Sequence, residues 1–316
     1  MEVAIIGAGP SGMSCANALL AFGLTPIVIE RSDHVGGAQR TNFHPNLWLL
    51  GAPEETGMQM TERLRRHFEE LPIQLLLGCE LRHVRRIDNR FELDLSGPSG
   101  MQTLLVDAIV LATGMRPRVT PELLALAATN PHVIVGPLST KIRDDIRDSR
   151  VLILGGGDNA LDHALFLAER GNSVQVCTRG QFSARRQFRE ACTAQAGIAL
   201  HSDCRAARLR LDGERIAATV AGEPAQFDWL LVMYGYAPNT EVIECFERDI
   251  RPRRLKSGHI VANLWQRSSS LGIYAAGDIT DSPQPSVATA IAQGLAAARA
   301  VERDLHRDDE DQPSAV

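Results

Sequence analysis

The chain of 316 residues lacks most of what would suit it to nucleic acid, a membrane or an oxidising compartment. Its formal net charge is −5, with 33 Lys+Arg against 38 Asp+Glu, whereas binding along a phosphate backbone needs a positive field. No apolar run approaches the roughly 18 residues of a membrane span. The N-terminus carries Glu2, shows no basic n-region and runs straight into a β-rich segment, so no secretory leader is expected. A cytoplasmic protein that binds neither nucleic acid nor membrane is the expectation. Six cysteines stand at Cys15, Cys79, Cys177, Cys192, Cys204 and Cys245, and the closest two are 12 apart. There is therefore no C-x-x-C and no zinc-ligand spacing. Reduced thiols, several of them core fillers, are expected, and no metal site.

What is present is an ordinary globular balance, 44% hydrophobic and 22% charged, at a length where one core gives way to two domains. Two glycine loops organise it. "VAIIGAGPSG" places Gly7, Gly9 and Gly12 after a strand and before a helix. In such a G-x-G-x-x-G loop the first glycine makes the tight turn and the second lets backbone approach a pyrophosphate. The third lets helix and strand pack closely, and the phosphate rests on free N–H groups at the helix start. Glu30 ends the next strand, 18 residues past Gly12, where an acid accepts hydrogen bonds from ribose hydroxyls. "VLILGGGDNA" repeats the plan with Gly155, Gly157 and Ala160. The same offset from Ala160 lands on Thr178, followed by Arg179. The acid is gone, and an arginine there can hold a 2′-phosphate, which tilts the second nucleotide toward NADP(H).

Between these landmarks the periodicity predicts a helix over 61–71, an alternating strand in "RFELDLS" and one buried strand across "LLVDAIVLATG". "MRPRVTP" (115–121) reads as a linker, after which strand, glycines, helix (158–170) and strand "SVQVC" restart the pattern. "DWLLVMYGYAPNT" closes that block, a helix is predicted from about Ser286 to Leu305, and the acidic tail "HRDDEDQPSAV" is expected to fray. The second copy of the plan is inserted into the first.

With both loops, "LATG", "YGYAPNT" and "GIYAAGDI" in order, the chain resembles the thioredoxin-reductase family of two-dinucleotide flavoproteins over nearly its whole length. The resemblance implies an α/β fold of two Rossmann-like three-layer domains. An FAD-binding domain would comprise 1–116 and 238–316, and an inserted NAD(P)H-binding domain 117–237. It implies FAD at Gly7, Gly9, Pro10, Ser11, Gly12, Glu30, Arg31, Gly37, Ala38, Gln39, Thr113, Gly114, Gly277, Asp278, Ser286 and Val287. There Asp278 would hold the ribitol chain, and Ser286 would cap a helix whose N–H groups at Val287 and Ala288 face the flavin. NAD(P)H would lie at Gly155, Gly157, Asp158, Asn159, Ala160 and Arg179. Hydride transfer between the two cofactors needs no side-chain acid or base, so no catalytic residue is assigned. A homodimer is a further implication of the likeness.

Departures narrow the reading. Thioredoxin reductases carry a redox C-x-x-C before the second loop, and residues 130–150 contain no cysteine. The branch without that dithiol is the ferredoxin/flavodoxin–NADP reductases, which "GGAQRTNFHPNLWLLGAP" also resembles. Electrons then leave for a ferredoxin- or flavodoxin-like carrier, for which the basic runs "RHVRR" (82–86) and "RPRRLK" (251–256) are candidate docks. A small molecule, a quinone, oxygen or an external dithiol is the alternative acceptor, and a non-catalytic flavin-binding protein the remaining alternative. Of the family's cluster of phosphate-binding arginines only Arg179 is in register, with Arg185 and Arg186 as substitutes from further on.

Overall fold

The computed structural model describes residues 1–46 and 49–310, residues 307–310 by backbone alone. Leu47 and Trp48 of the aromatic-Pro segment, and the tail beyond 310, lie outside the described residues. The chain divides into two compact units, Met1–Met115 with Pro238–Val316, and Arg116–Ala237. No helix among the described residues is long and apolar enough to cross a membrane.

The β-rich opening run forms β1 (Glu2–Ile6), and the glycine loop then leads into α1 (Pro10–Ala21) and β2 (Thr25–Glu30). Next comes α2 (Gly57–Glu69), which starts before the predicted residue 61 because Thr56 and Gln59 close a capping box. Thr56 Oγ1 accepts from the Gln59 N–H and Gln59 Oε1 from the Thr56 N–H, at 3.3 and 2.9 Å, which satisfies donors that a helix start leaves open. β3 (Gln74–Leu77) is followed by an antiparallel meander of β4 (Glu80–Ile87), β5 (Arg90–Gly97) and β6 (Gly100–Val106). The predicted single strand over "LLVDAIVLATG" is in fact two. Asp107 breaks it: its carboxylate accepts from the Glu2 N–H at 2.6 Å and meets Arg90 Nε at 2.9 Å, and β7 (Ala108–Leu111) continues in another sheet.

The expected linker contains a short strand, β8 (Met115–Pro117). The inserted unit runs α3 (Pro121–Thr129), β9 (Val133–Val135), α4 (Thr140–Asp144), β10 (Arg150–Leu154), α5 (Asp158–Ala168), β11 (Ser173–Cys177), α6 (Arg186–Ala194) and β12 (Ile198–His201). A second meander, β13 (Ala207–Asp212), β14 (Arg215–Val220) and β15 (Glu223–Phe227), precedes β16 (Trp229–Val232). β17 (Tyr236–Pro238) pairs with β8 as the chain returns, and β18 (Ile273–Ala275) and α7 (Val287–Glu310) finish the first unit.

Each unit centres on a five-stranded parallel sheet, in the orders β18-β7-β1-β2-β3 and β12-β11-β10-β16-β9. Because side chains alternate along a strand, each sheet feeds two cores. In the first unit Val3, Ile5, Val28 and Val110 pack toward α1 and α7, while Ala4, Ile6, Ile29 and Leu111 pack toward Phe91, Leu93 and Leu95 of the meander. In the second, Leu152, Leu154, Leu230 and Val232 meet Ile216, Val220 and Phe227 of its own meander, and α5 covers the other face. Helix, parallel sheet and antiparallel sheet are the three layers of both, a doubly built Rossmann-like α/β fold as the sequence predicts.

Small residues allow α1 and α7 to lie close. A β-carbon on Gly294 would fall 2.2 Å from the Ser11 carbonyl oxygen, a backbone atom that no rotamer change can move. In an exposed helix interior Gly→Ala stabilises by about 1 kcal/mol. Here Gly294→Ala is expected to destabilise by about 1–3 kcal/mol, read as a lower urea midpoint at unchanged slope.

Candidate functional site

The two glycine loops are built alike. Gly7 and Gly155 have φ of +111° and +152°, which side-chain-bearing residues rarely adopt. A β-carbon on either would strike a backbone oxygen one strand away, Ala112 O at 2.5 Å and Met233 O at 2.2 Å. The Gly7 N–H donates to Ile29 O at 2.8 Å, and the Gly155 N–H to Cys177 O at 3.0 Å. Gly12 is required for packing, since its β-carbon would lie 1.9 Å from Gly7 O.

The middle glycines differ in kind. Gly9 and Gly157 have extended backbone, and a β-carbon there would have nothing nearer than 3.9 Å in each case. Nothing in the protein demands glycine at either position. Open space in front of each loop does, if something must approach the backbone. Both also stand at the N-cap of a helix, α1 or α5, with no side-chain cap, whereas Thr56 and Thr120 cap α2 and α3. Uncapped N–H groups beside empty space fit a pyrophosphate.

Around the first loop the structure gathers most of the expected FAD residues. The Gly36 N–H donates to Ala8 O at 2.8 Å, and Gly37 comes close enough that its β-carbon would lie 3.1 Å from Gly9 Cα. Gly37, Ala38 and Gln39 lie on a 3-10 helix (Gly37–Thr41), where Gln39 Oε1 accepts from Asn42 Nδ2 at 3.1 Å. Glu30 reaches back over the loop: its two carboxylate oxygens accept from the Ala8 and Ser32 N–H groups at 2.8 and 2.9 Å, while Arg31 is exposed. Pro10 opens α1, and Ser11 beside it is buried, its Oγ without a hydrogen-bond partner among the described residues. Gly277 abuts Ser11, so the "GD" turn adjoins the loop. Ser286 Oγ accepts from the Thr289 N–H at 3.2 Å and caps α7, whose first residue is Val287.

Two further residues hold this framework: Asn239, which stands inside "YGYAPNT" without an assigned role, and Gln293, which carried no signal in sequence. Asn239 locks the strand end: its Nδ2 donates to Thr113 O and its N–H to Gly114 O, both at 2.9 Å, while Thr113 Oγ1 donates to Asn239 O at 2.8 Å. Gln293, about two turns into α7 beyond the cap, accepts from the Gly277 N–H at 2.8 Å and from Thr280 Oγ1 at 3.3 Å, fixing the turn that carries Asp278. Burial pushes the Asp278 carboxyl above the ordinary carboxylate range, with the charge of His259 pulling partly back.

The second loop opens a cavity of about 310 Å³ lined by Gly155, Gly157, Asp158, Asn159, Ala160, Thr178, Arg179, Ser183 and Tyr234, among others. Strand register makes its equivalence with the first loop explicit: Ile6 pairs with Ile29 and Leu154 with Cys177, so Thr178 occupies the place of Glu30. The Arg179 guanidinium carbon sits 5.3 Å from the Tyr234 ring centroid. The two substitute arginines are committed elsewhere. Asp158 accepts from the Arg185 N–H at 2.7 Å and from its Nε at 2.6 Å, and Arg186 pairs with Glu190. Arg179 alone among the three lines the cavity.

The sequence profile of the pyridine nucleotide-disulphide oxidoreductase family matches residues 1–294. The chain belongs to that family. FAD and NAD(P)H are its cofactors. A ferredoxin–NADP reductase of Lactococcus lactis subsp. cremoris is 25% identical over 89% of this chain and 86% of its own. A thioredoxin reductase of Coxiella burnetii is 26% identical over 95% of each. In structure, the thioredoxin reductase of Lactococcus lactis superposes with a TM-score of 0.80 at 20% identity, over 97% of this chain and 99% of its own.

As a flavoprotein oxidoreductase of this family, the chain carries two basic runs whose charge is only partly neutralised, with Arg253 and Lys256 exposed. Arg82 pairs with Glu80 and Arg85 with Glu92, while Arg251 and Arg254 share Glu244. Arg86 donates to Leu271 O at 2.6 Å and stacks over Phe91.

Two outcomes separate fold from site. Gly9→Ala and Gly157→Ala are expected to change unfolding free energy by less than about 1 kcal/mol. Gly9→Ala should lose flavin absorbance and Gly157→Ala should weaken dinucleotide binding, each by about tenfold or more. Asp278→Asn tests the half-buried acid. A raised native pKa means the fold binds more protons than the unfolded chain from the ordinary carboxyl range up to that raised value, so stability falls as pH rises through the window. The ionised form is therefore a cost at pH 7. Asp278→Asn should raise the melting temperature of apoprotein while weakening FAD retention by about tenfold or more.

Proposed function

We propose that the unit Met1–Met115 with Pro238–Val316 holds FAD, that Arg116–Ala237 holds NADPH, and that reduced flavin passes electrons to a ferredoxin- or flavodoxin-like protein. The observation that carries this is the pairing of two open glycine cradles with a chain that has no C-x-x-C anywhere, so no dithiol of that kind relays electrons to a bound disulfide. FAD accepts two electrons as hydride and releases them one at a time.

The chain's own residues bind and orient. Glu30 accepts ribose hydroxyls, the α1 and α5 N-termini hold pyrophosphates, and Asp278 holds the ribitol chain. The Ser11 hydroxyl, buried and unpartnered, supplies a polar contact at the same loop. Arg179 takes the 2′-phosphate: it follows the residue that replaces the acid, and its guanidinium is directed by Tyr234 rather than drawn off by a carboxylate among the contacts described for it. The similarity to proteins named ferredoxin–NADP reductase over most of both chains supports the choice of acceptor.

A second reading, a small acceptor that reacts directly at the flavin, is favoured by the ion pairs of Arg82, Arg85, Arg251 and Arg254, which draw part of the positive field of both basic runs away from an acidic carrier.

Anaerobic stopped-flow mixing decides among these. NADPH should bleach the flavin, and reduced enzyme should regain its colour rapidly with flavodoxin or ferredoxin. Rapid recovery only with a quinone or an aromatic disulfide supports the second reading, and no bleaching by either nicotinamide refutes both. Arg179→Gln should raise the KM for NADPH about tenfold or more and leave that for NADH within a few-fold.

A further inference from the structure

Two cysteines 27 residues apart meet beside the second glycine loop. Cys177 closes β11 and Cys204 lies in the turn after β12, with their sulfurs 3.0 Å apart. Both are buried, at 3% and 9% exposure, so Cys204 is the one that solvent reaches first. The Cys177 thiol donates to Cys204 O at 3.1 Å, and Cys204 Sγ also accepts from the Ala221 N–H at 3.4 Å. A disulfide requires about 2.05 Å between sulfurs, so closure asks for an approach of about 1 Å.

The backbone around this pair is the backbone of the dinucleotide cavity. Cys177 O is the acceptor for the Gly155 N–H. Thr178 packs so tightly on the loop that a β-carbon on Gly156 would lie 2.6 Å from its Oγ1. Cys204 N–H donates to Thr178 O at 2.9 Å, Asp203 N–H to Gly180 O at 3.1 Å, and Thr178 N–H to His201 O at 3.0 Å. The 201–204 turn is thus stapled to the 178–180 turn that bears Arg179. β11 lies inside the sheet between β10 and β12, so the movement needed for closure falls on the 201–204 turn and is passed to Arg179.

We propose that Cys177 and Cys204 form an oxidisable dithiol whose disulfide lowers affinity for the dinucleotide, making the second cradle sensitive to hydroperoxide. The oxidant is hydrogen peroxide. Cys204 sulfur attacks one peroxide oxygen, the O–O bond breaks, and sulfenic acid and water form. Cys177 sulfur then displaces the hydroxyl as a second water, so two thiols and one peroxide yield one disulfide and two waters. Burial pushes the Cys177 thiol up to about 12, so its attack on the sulfenic acid quickens in alkali. The effect on affinity rests on the proposed dinucleotide site; the cross-link itself does not.

The test treats the FAD-loaded protein with hydrogen peroxide at pH 8.5, alkylates free thiols and maps peptides without reduction. The expected result is a joined Cys177–Cys204 peptide lighter than its two parts by two hydrogens. NADP⁺ affinity should fall about fivefold or more, and dithiothreitol should restore it. Cys204→Ser and Cys177→Ala are each expected to bind NADP⁺ like reduced wild type and to ignore peroxide. Separate alkylation of both cysteines after treatment overturns the proposal, as does a joined peptide with unchanged affinity. Reduced protein that binds neither dinucleotide counts against the proposed function, and the peptide map still decides the cross-link.

Discussion

A glycine pressed against the carbonyl of a neighbouring strand is the constraint on which both halves of this protein depend. Gly7 against Ala112 O and Gly155 against Met233 O leave no room for a side chain, and both adopt a backbone that glycine alone enters cheaply. That contact sets how far the strand runs before the chain turns, hence where α1 and α5 begin and which way their N–H groups point. The backbone bonds from Gly7 to Ile29 O and from Gly155 to Cys177 O then fix the adjacent strand ends to the same loop. In each unit the glycine loop and the adjoining strand ends are thus referred to one turn.

The same scaffold then diverges at one residue pair. Glu30 and Thr178 occupy equal register, but one brings a carboxylate over its loop and the other a hydroxyl methyl pair packed on Gly156. With the acid removed, an arginine next door no longer meets competition, and Tyr234 gives it a face to rest on. The two units thus differ in charge at the strand end while the loops stay alike.

Much of this was legible because it is local. Glycine spacing, the strand before and the helix after lie within ten residues, and the offset that lands on Glu30 and Thr178 is a property of one βαβ unit. What escaped depends on partners far along the chain. Asp107 breaks an apolar run because Glu2 and Arg90 are waiting for its carboxylate, and nothing in "LLVDAIVL" shows that. Arg185 reads as a phosphate ligand until Asp158, 27 residues earlier, is seen to hold it. Cys177 and Cys204 are equally distant, and Asn239 and Gln293 act on backbone groups 126 and 16 residues away. Helix α2 is the exception, since the Thr56–Gln59 signal was local and lay outside the window that periodicity selected.

The double grip on Glu30 has a consequence for how a ligand is received. Held by Ala8 and Ser32, the carboxylate has already given up its rotamers when the chain folds, so the ribose proposed to meet it would freeze nothing further on the protein side. Recognition on those terms would resemble insertion into a rigid socket, with selectivity following from the shape of what enters rather than from any adjustment by the receptor.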